Sequence, residues 1–298
     1  MNMDWTKDKK GNAVNNNDEK SNDFFAETKK RILAQIQERL DRDRSHLLCS
    51  ITGNPKVGKS GIAMDCRTEE EIEKGMKILI LDFDNGCEPT WRTNWDSDPN
   101  IMIYNPLEVR QDGSTDWEVT FNNANYFCAL AKEMIEEEEV KAFIFDGVDK
   151  AFEGSSDVLR ELLVKQQSRE GSIVKATDSV RVSTLDWKIR NRIYNRLLDL
   201  VCNLKCDRFL ITHMKPVYDN INVPTPVGEV PDWHKSTPAR FVQMLHITKQ
   251  PSQNATNYVC ELEASKTNPG LVGNKWTIFT TNGENKWFGL PELREGTL

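Results

Sequence analysis

The chain has 298 residues, 38% of them hydrophobic and 29% charged, with a formal net charge of −7. That length suits one large α/β domain with appendages, or one domain plus a small one, and the composition is globular but polar. The negative balance excludes a global attraction to nucleic acid, so any such contact must come from a local basic patch.

No apolar run approaches the roughly 20 residues of a membrane helix, and the N-terminus reads as lacking a signal-peptide core. Seven cysteines show no CxxC spacing. Cys202 and Cys206 lie one helical turn apart without a second Cys/His pair, and Cys49 and Cys260 fall in apolar stretches. Reduced, buried thiols and a cytoplasmic location are expected.

Residues 1–23 are rich in Asn, Asp and Lys and read as a disordered tail. Over 24–44, Phe25, Ile32, Leu33, Ile36 and Leu40 recur at helical spacing. This helix either packs on its own domain or serves as an arm docking on a neighbouring subunit. The remainder, 45–298, reads as one core whose last part, from about 238, is a strand extension.

An apolar strand is expected at 46–52, followed by a turn and a helix over 60–67. A buried strand at 77–84 ends in carboxylates, and a short strand follows at 100–104. A helix is expected at 122–138, with Phe127, Leu130, Ala131 and Met134 on one face. The strand 141–147 ends in Asp146-Gly147, helical patterns occupy 156–167 and 184–204, and a fifth strand covers 207–213. Strands alternating with helices imply a parallel sheet covered on both faces. Beyond 238 strands follow one another, at 242–248, 258–264 and 276–280. Asn282-Gly283 is a hairpin signal ahead of Trp287-Phe288. These read as an antiparallel extension of the same sheet.

The turn after the first strand, Gly53-Asn54-Pro55-Lys56-Val57-Gly58-Lys59-Ser60, fits GxxxxGK[ST] without a gap, and Gly61 continues it into the helix. Glycines let the backbone curl so that its N–H groups face a phosphate. The Lys59 ammonium supplies charge to the β/γ-phosphates, and the Ser60 hydroxyl can ligate Mg²⁺. The flanking strand and helix are the context this motif requires, and nucleoside triphosphate binding follows.

In an open parallel sheet, ligands sit beyond the carboxyl ends of the strands. Asp146 closes the hydrophobic strand Phe143-Ile144-Phe145-Asp146, the Walker B form, and is the second expected Mg²⁺ ligand; Asp149 is a weaker candidate. Asp82 and Asp84 end the second strand. Asp84, nearest the tip, is favoured to orient the attacking water, against the alternative of a turn or capping residue before Asn85-Gly86. His213, at the end of the fifth strand, can hydrogen-bond the γ-phosphate and report its loss to the following loop, against a purely structural role. Lys215 reads equally as a phosphate contact or a surface charge.

In that order, the segments ITGNPKVGKS, LDFDNG, FIFDGVD and FLITHMK resemble the RecA-like branch of P-loop ATPases, the group holding RecA, RadA, KaiC and the DnaB-type helicases. The chain is most similar in character to compact RecA/RadA-like ATPases of bacteriophages, over roughly 46–270. The resemblance implies an α/β RecA-like fold, ATP and Mg²⁺ as ligands, and hydrolysis coupled to recombination, replication or repair. A homo-oligomer, ring or filament, is implied too.

By position, the resemblance puts the catalytic acid at Asp84, where the family carries a longer Glu, and the γ-phosphate sensor at His213. It puts a finger reaching a neighbouring subunit's nucleotide at Lys266, followed by Asn268 where the family has Arg. It also implies single-stranded DNA contact through loops within 153–184 (Lys165, Arg169, Lys175, Arg181) and 214–237 (Lys215, Tyr218, Trp233, His234, Lys235). Two alternatives stand beside it: a small-molecule P-loop kinase, and a nucleotide-gated assembly module with little hydrolysis.

Overall fold

The computed structural model describes residues 18–40, 46–137, 139–169, 182–219, 225–252 and 255–281. The chain divides into two units, Met1–Ser45 and His46–Leu298. In the first, helix α1 spans Asp18–Leu40, and Phe25, Ile32, Leu33, Ile36 and Leu40 along it are exposed. The polar stretch read as a tail falls partly on residues 1–17, outside the described residues, and partly on the start of α1.

In the second unit the elements follow in the order β1 (Leu48–Gly53), α2 (Lys59–Met64), α3 (Glu69–Glu73), β2 (Lys77–Asp82), α4 (Cys87–Asn94), β3 (Ile101–Tyr104), α5 (Trp117–Glu137) and β4 (Val140–Asp146). Then come α6 (Val148–Arg169), α7 (Asp186–Cys202), β5 (Asp207–Asp219), β6 (Thr225–Pro231), β7 (Gln243–Pro251), β8 (Thr256–Ser265) and β9 (Lys275–Thr280). Among the described residues, the strands form one sheet in the order β3-β2-β4-β5-β1-β7-β8-β9. From β3 to β7 neighbours are parallel; β8 and β9 are antiparallel, and β6 pairs antiparallel with the distal half of β5. The fold is thus α/β, a mostly parallel sheet flanked by helices with antiparallel C-terminal strands.

The inner strands are near-continuous apolar runs because both faces are covered. Strand alternation sends Leu79, Leu81, Phe143 and Phe145 into one core with Phe121, Ala124, Tyr194 and Leu198 of α5 and α7. It sends Ile78, Ile80, Ala142 and Ile144 into the other, against Ile62, Ala63 and Met64 of α2. Each leucine, isoleucine, phenylalanine and methionine among them contributes about 1.5–3 kcal/mol by burial. No disulfide joins any of the seven cysteines. Among the described residues no helix is long and apolar enough to cross a membrane.

Several expectations are corrected in detail. Helix α5 begins at Trp117 rather than 122, because the Asp116 carboxylate accepts from the Val119 N–H (3.1 Å) and caps it. Its buried face carries Phe121, Ala124, Cys128 and Ala131, while Leu130 is exposed. Helix α6 begins at Val148 and runs on to Arg169, so Lys165 is helical and lies 3.7 Å from Glu118 rather than in a loop.

Strand β5 does not stop at 213. It continues to Asp219 and folds into a ribbon with β6, in place of a loop. Strand β7 joins the sheet parallel to β1, so the antiparallel pairing begins only at β8. The side chain of Arg169, and Lys175, Arg181, Asn282, Gly283, Trp287 and Phe288, lie outside the described residues.

Candidate functional site

Register brings the strand ends level. Asp82 pairs with Asp146, Asp146 with Ile211, and Gly53 with His213, so β2, β4, β5 and β1 finish at one edge. There the backbone leaves β1 at Gly53, where a Cβ would lie 2.4 Å from the Ile247 carbonyl oxygen, so only glycine allows β7 this close. The loop curls through Lys56 (φ 62) and Gly58 (φ 89) into α2. Lys59 opens that helix, buried, and its Nζ donates to the carbonyls of Gly53 (3.0 Å) and Asn54 (2.9 Å). Burial lowers its pKa, opposed by the carboxylates of Asp146, Asp149 and Asp84.

The next residue links the loop to a distant strand. Ser60 Oγ donates to Asp146 Oδ2 at 2.5 Å, across 86 positions of sequence. The Cys87 thiol donates to the same oxygen at 3.2 Å, and burial first, then the carboxylates of Asp146 and Asp82, hold that thiol well above its usual pKa. Asp82 faces inward to cap the entry to α4, accepting from the N–H groups of Asp84 (3.1 Å), Gly86 (3.3 Å) and Cys87 (2.9 Å). Asp82 is therefore the turn residue, and Asp84 is the carboxylate left at the cavity.

Asp84 belongs to a small cluster. Its Oδ2 lies 3.5 Å from His213 Nδ1, which lies 3.1 Å from Asp149 Oδ2. Burial and the carboxylates of Asp146 and Asp149 push the Asp84 pKa up to about 6, with His213 opposing. The hydrogen bond to Asp149 raises that of His213 against desolvation. For Asp149, burial pushes upward, but the hydrogen bond and charge of His213 outweigh it and leave the carboxyl below its usual value.

Gly147 makes this cluster sterically possible. Its φ is +88, and a Cβ there would meet Phe83 Cβ at 2.9 Å and the Asp84 nitrogen at 3.1 Å. Gly147→Ala is expected to destabilise the fold by about 2 kcal/mol or more and to displace Asp84. Urea unfolding checks the first effect; unchanged stability would mean the two strand ends do not approach this closely.

The cavity over this edge, about 570 Å³, is lined by Pro55 through Gly61, Asp84, Asp146 and His213. Gly53 and Asn54 lie behind it as acceptors for Lys59, and Asn54 Nδ2 also donates to Glu229 of β6 at 3.1 Å. The remaining lining comes from residues that the motifs did not reveal: Gly86, Thr90 and Asn94 around α4, and Tyr258 and Phe279 on β8 and β9.

Lys266 is not brought to this cavity. It follows Ser265, which pairs with Gln243 opposite the start of β1, at the end of the sheet away from the loop, and its Nζ donates to Ala239 O at 3.3 Å. Two more expectations shift. Trp233 is buried against Phe241 (ring centroids 5.3 Å apart), so it offers no stacking face to a ligand. Lys215 is paired with Asp232 at 2.7 Å.

No family model matches the sequence, and no curated protein matches it. Among solved structures the chain is similar to the RadB recombinase, at 12% identity and a TM-score of 0.41, covering 78% of this chain and 87% of that one.

Proposed function

We propose that the protein binds and hydrolyses ATP with Mg²⁺ as a RecA-like P-loop ATPase, and acts on single-stranded DNA as a homo-oligomer. The observation that carries the nucleotide reading is the contact of Ser60 with Asp146. Two motif residues far apart in sequence meet at hydrogen-bond distance, beside Lys59 and under one cavity. Their donors are hard oxygens and the neighbouring Cys87 is held as a neutral thiol, a set that fits Mg²⁺ rather than a thiophilic ion. When bound, the ion neutralises charge on the β- and γ-phosphates.

The chain's own groups supply the rest. Amides of 56–60 and the Lys59 ammonium hold the phosphates; Asp84 accepts the proton of the attacking water; His213, tied to Asp149, hydrogen-bonds the γ-phosphate and leads directly into the β5–β6 ribbon. Most of the catalysis is positioning and fixed charge. Lys266, at the far end of the sheet, has no role within its own subunit's site, and a trans role would require an interface between copies.

DNA contact is supported by a surface on α7. Lys188, Arg192 and Arg196 recur at four-residue spacing on its exposed side, and their side chains make no hydrogen bond or ion pair among the described residues. On the opposite side of the same helix, which also carries the buried Tyr194, Leu197 and Val201, the Arg190 guanidinium stacks on Trp187 (4.5 Å) and Phe152 (4.7 Å). The exposed row of cations suits a phosphate backbone. In a chain of net charge −7, this local excess stands out.

One observation favours a second reading, a small-molecule kinase: Asp84 also borders a separate cavity of about 1070 Å³ between the 107–117 segment and α6. Its Arg110 is already held by Asp116 (3.1 Å) and Glu161 (2.8 Å), which leaves less charge for an acceptor phosphate.

Phosphate release from ATP, measured with and without single-stranded DNA, tests the proposal. DNA-stimulated release supports it, whereas ATP consumption that yields a phosphorylated acceptor and no free phosphate supports the kinase. Asp146→Asn is expected to raise the Mg²⁺ concentration needed for half-maximal rate by about tenfold or more. An unchanged Mg²⁺ dependence would remove Asp146 from the metal site.

A further inference from the structure

The motif residues account for the phosphate end of the cavity and leave the other end unexplained. That end is walled by Tyr258 and Phe279, which no phosphate or metal contact requires. A register shift beside Tyr258 sets the two rings directly opposite each other on β8 and β9, edge to face, with centroids 5.4 Å apart. Cross-strand aromatic pairs commonly stabilise sheets, yet this pair is only half-buried and borders the cavity, while Cys260 and Leu262 along the same strand are fully buried.

The sheet register locates the pair relative to the loop. Gly53 pairs with Ile247 and Ile247 with Cys260, whereas Tyr258 pairs with Lys249, two residues further along. The ring therefore stands about 7 Å beyond the end of β1 and about 10 Å to its side, two strand spacings away. It lies on the β7–β9 side of the loop; Asp146, Asp84 and His213 lie on the β2–β4–β5 side. A ribose with its α-phosphate bridges a gap of that order. Both carboxylates lining the cavity stand at the phosphate end, whereas at the other end Lys249 Nζ lies 5.4 Å from the Tyr258 ring centroid, and the two rings beside it suit a flat heterocycle.

We infer that Tyr258 and Phe279 form the seat of the nucleobase, so that the bound nucleotide lies across the loop with its purine on β8 and β9 and its γ-phosphate toward Asp84. This rests on the nucleotide reading above. It means that the C-terminal antiparallel strands, which bring no phosphate ligand, supply the affinity that separates a nucleoside triphosphate from a bare triphosphate.

The test compares equilibrium binding of ATP and of inorganic tripolyphosphate, both with Mg²⁺, to the wild type and to Tyr258→Leu, Tyr258→Phe and Phe279→Leu. The leucine variants keep apolar bulk on the strands and lose the ring. Each is expected to weaken ATP about tenfold or more and to leave tripolyphosphate within about twofold, while Tyr258→Phe binds both as the wild type does. Unchanged ATP affinity in both leucine variants would overturn the seat, as would equal loss of the two ligands, which would mark the rings as structural only. A wild type that binds neither ligand would overturn the phosphate-loop reading itself, a result distinct from the other two.

Discussion

Lys59→Ala is expected to lower ATP turnover by about 10²–10³-fold with little change in the secondary structure seen by circular dichroism. The Lys59 ammonium is buried and held by two carbonyls of its own loop, Gly53 O and Asn54 O, close to the carboxylates of Asp146, Asp149 and Asp84. A buried cation whose direct partners among the described residues are loop carbonyls brings desolvation cost without an ion pair there, so it is poorly explained by stability and well explained by an anionic ligand. Removing it should leave the fold intact and weaken every interaction with the γ-phosphate. Turnover within about threefold of wild type would mean that the loop holds no phosphate.

The second large effect concerns Asp84, where activity and stability are expected to move in opposite directions. Asp84→Asn removes the proton acceptor and should reduce turnover by about 100-fold or more. In the folded protein this carboxyl titrates near 6, because burial and the carboxylates of Asp146 and Asp149 disfavour its charge. Its folded pKa is thus raised above the unfolded value, so the native state holds the proton more tightly than the unfolded chain does. Stability associated with this group is present at low pH, falls as pH rises from about 4 to about 6, and stays lost above that. The neutral amide avoids the penalty.

At pH 7.5 Asp84→Asn should therefore melt higher, by about 2–4 °C for a gain of about 1 kcal/mol in a domain of this size, and the gain should vanish near pH 4. Wild-type kcat/KM for hydrolysis should fall at acid pH as the coupled Asp84, His213 and Asp149 cluster takes up protons, a limb that belongs to the cluster rather than to one residue. A variant less stable than wild type at pH 7.5, or one that retains full turnover, would contradict both halves of this reasoning.

How much of this was legible in the sequence depends on the range of the signal. The loop 53–60 is local, and each of its fixed positions has a physical job, so the motif alone located the cavity floor. The strand-end residues Asp84, Asp146 and His213 were legible because apolar runs of five or six residues mark buried parallel strands, and their last polar residue must emerge at one edge. Asp84 is favoured over Asp82 by its place at the tip alone; that the α4 amides capture Asp82 is visible only in the structure.

Helix α4 itself was hidden by Gly86 and Pro89, which read as a loop although proline is tolerated in a first helical turn. Gly154 and Ser155 hid the start of α6 in the same way; there the Trp117 ring packs where a side chain would stand. Thr68 and Glu71 form a complete capping box, a local signal that did announce α3 and was passed over. Tyr258 and Phe279 could not have been found this way. They meet the loop only through the order β1-β7-β8-β9, which no spacing in the chain encodes. The β5–β6 ribbon was not legible because Pro216, Pro226 and Pro231 read as loop residues, whereas edge strands accommodate proline.

On the proposed function, the curl between β1 and α2 holds a triphosphate whose metal is shared by Ser60 and Asp146. Equilibrium titration of the wild-type protein with a fluorescent, non-hydrolysable ATP analogue tests it most directly, with Mg²⁺ present and again after chelation. Saturable binding between about 1 μM and 1 mM, weakened at least tenfold by chelation and by Lys59→Ala, is the expected result. Binding that is absent up to millimolar analogue, or that is indifferent to both the metal and Lys59, would contradict it.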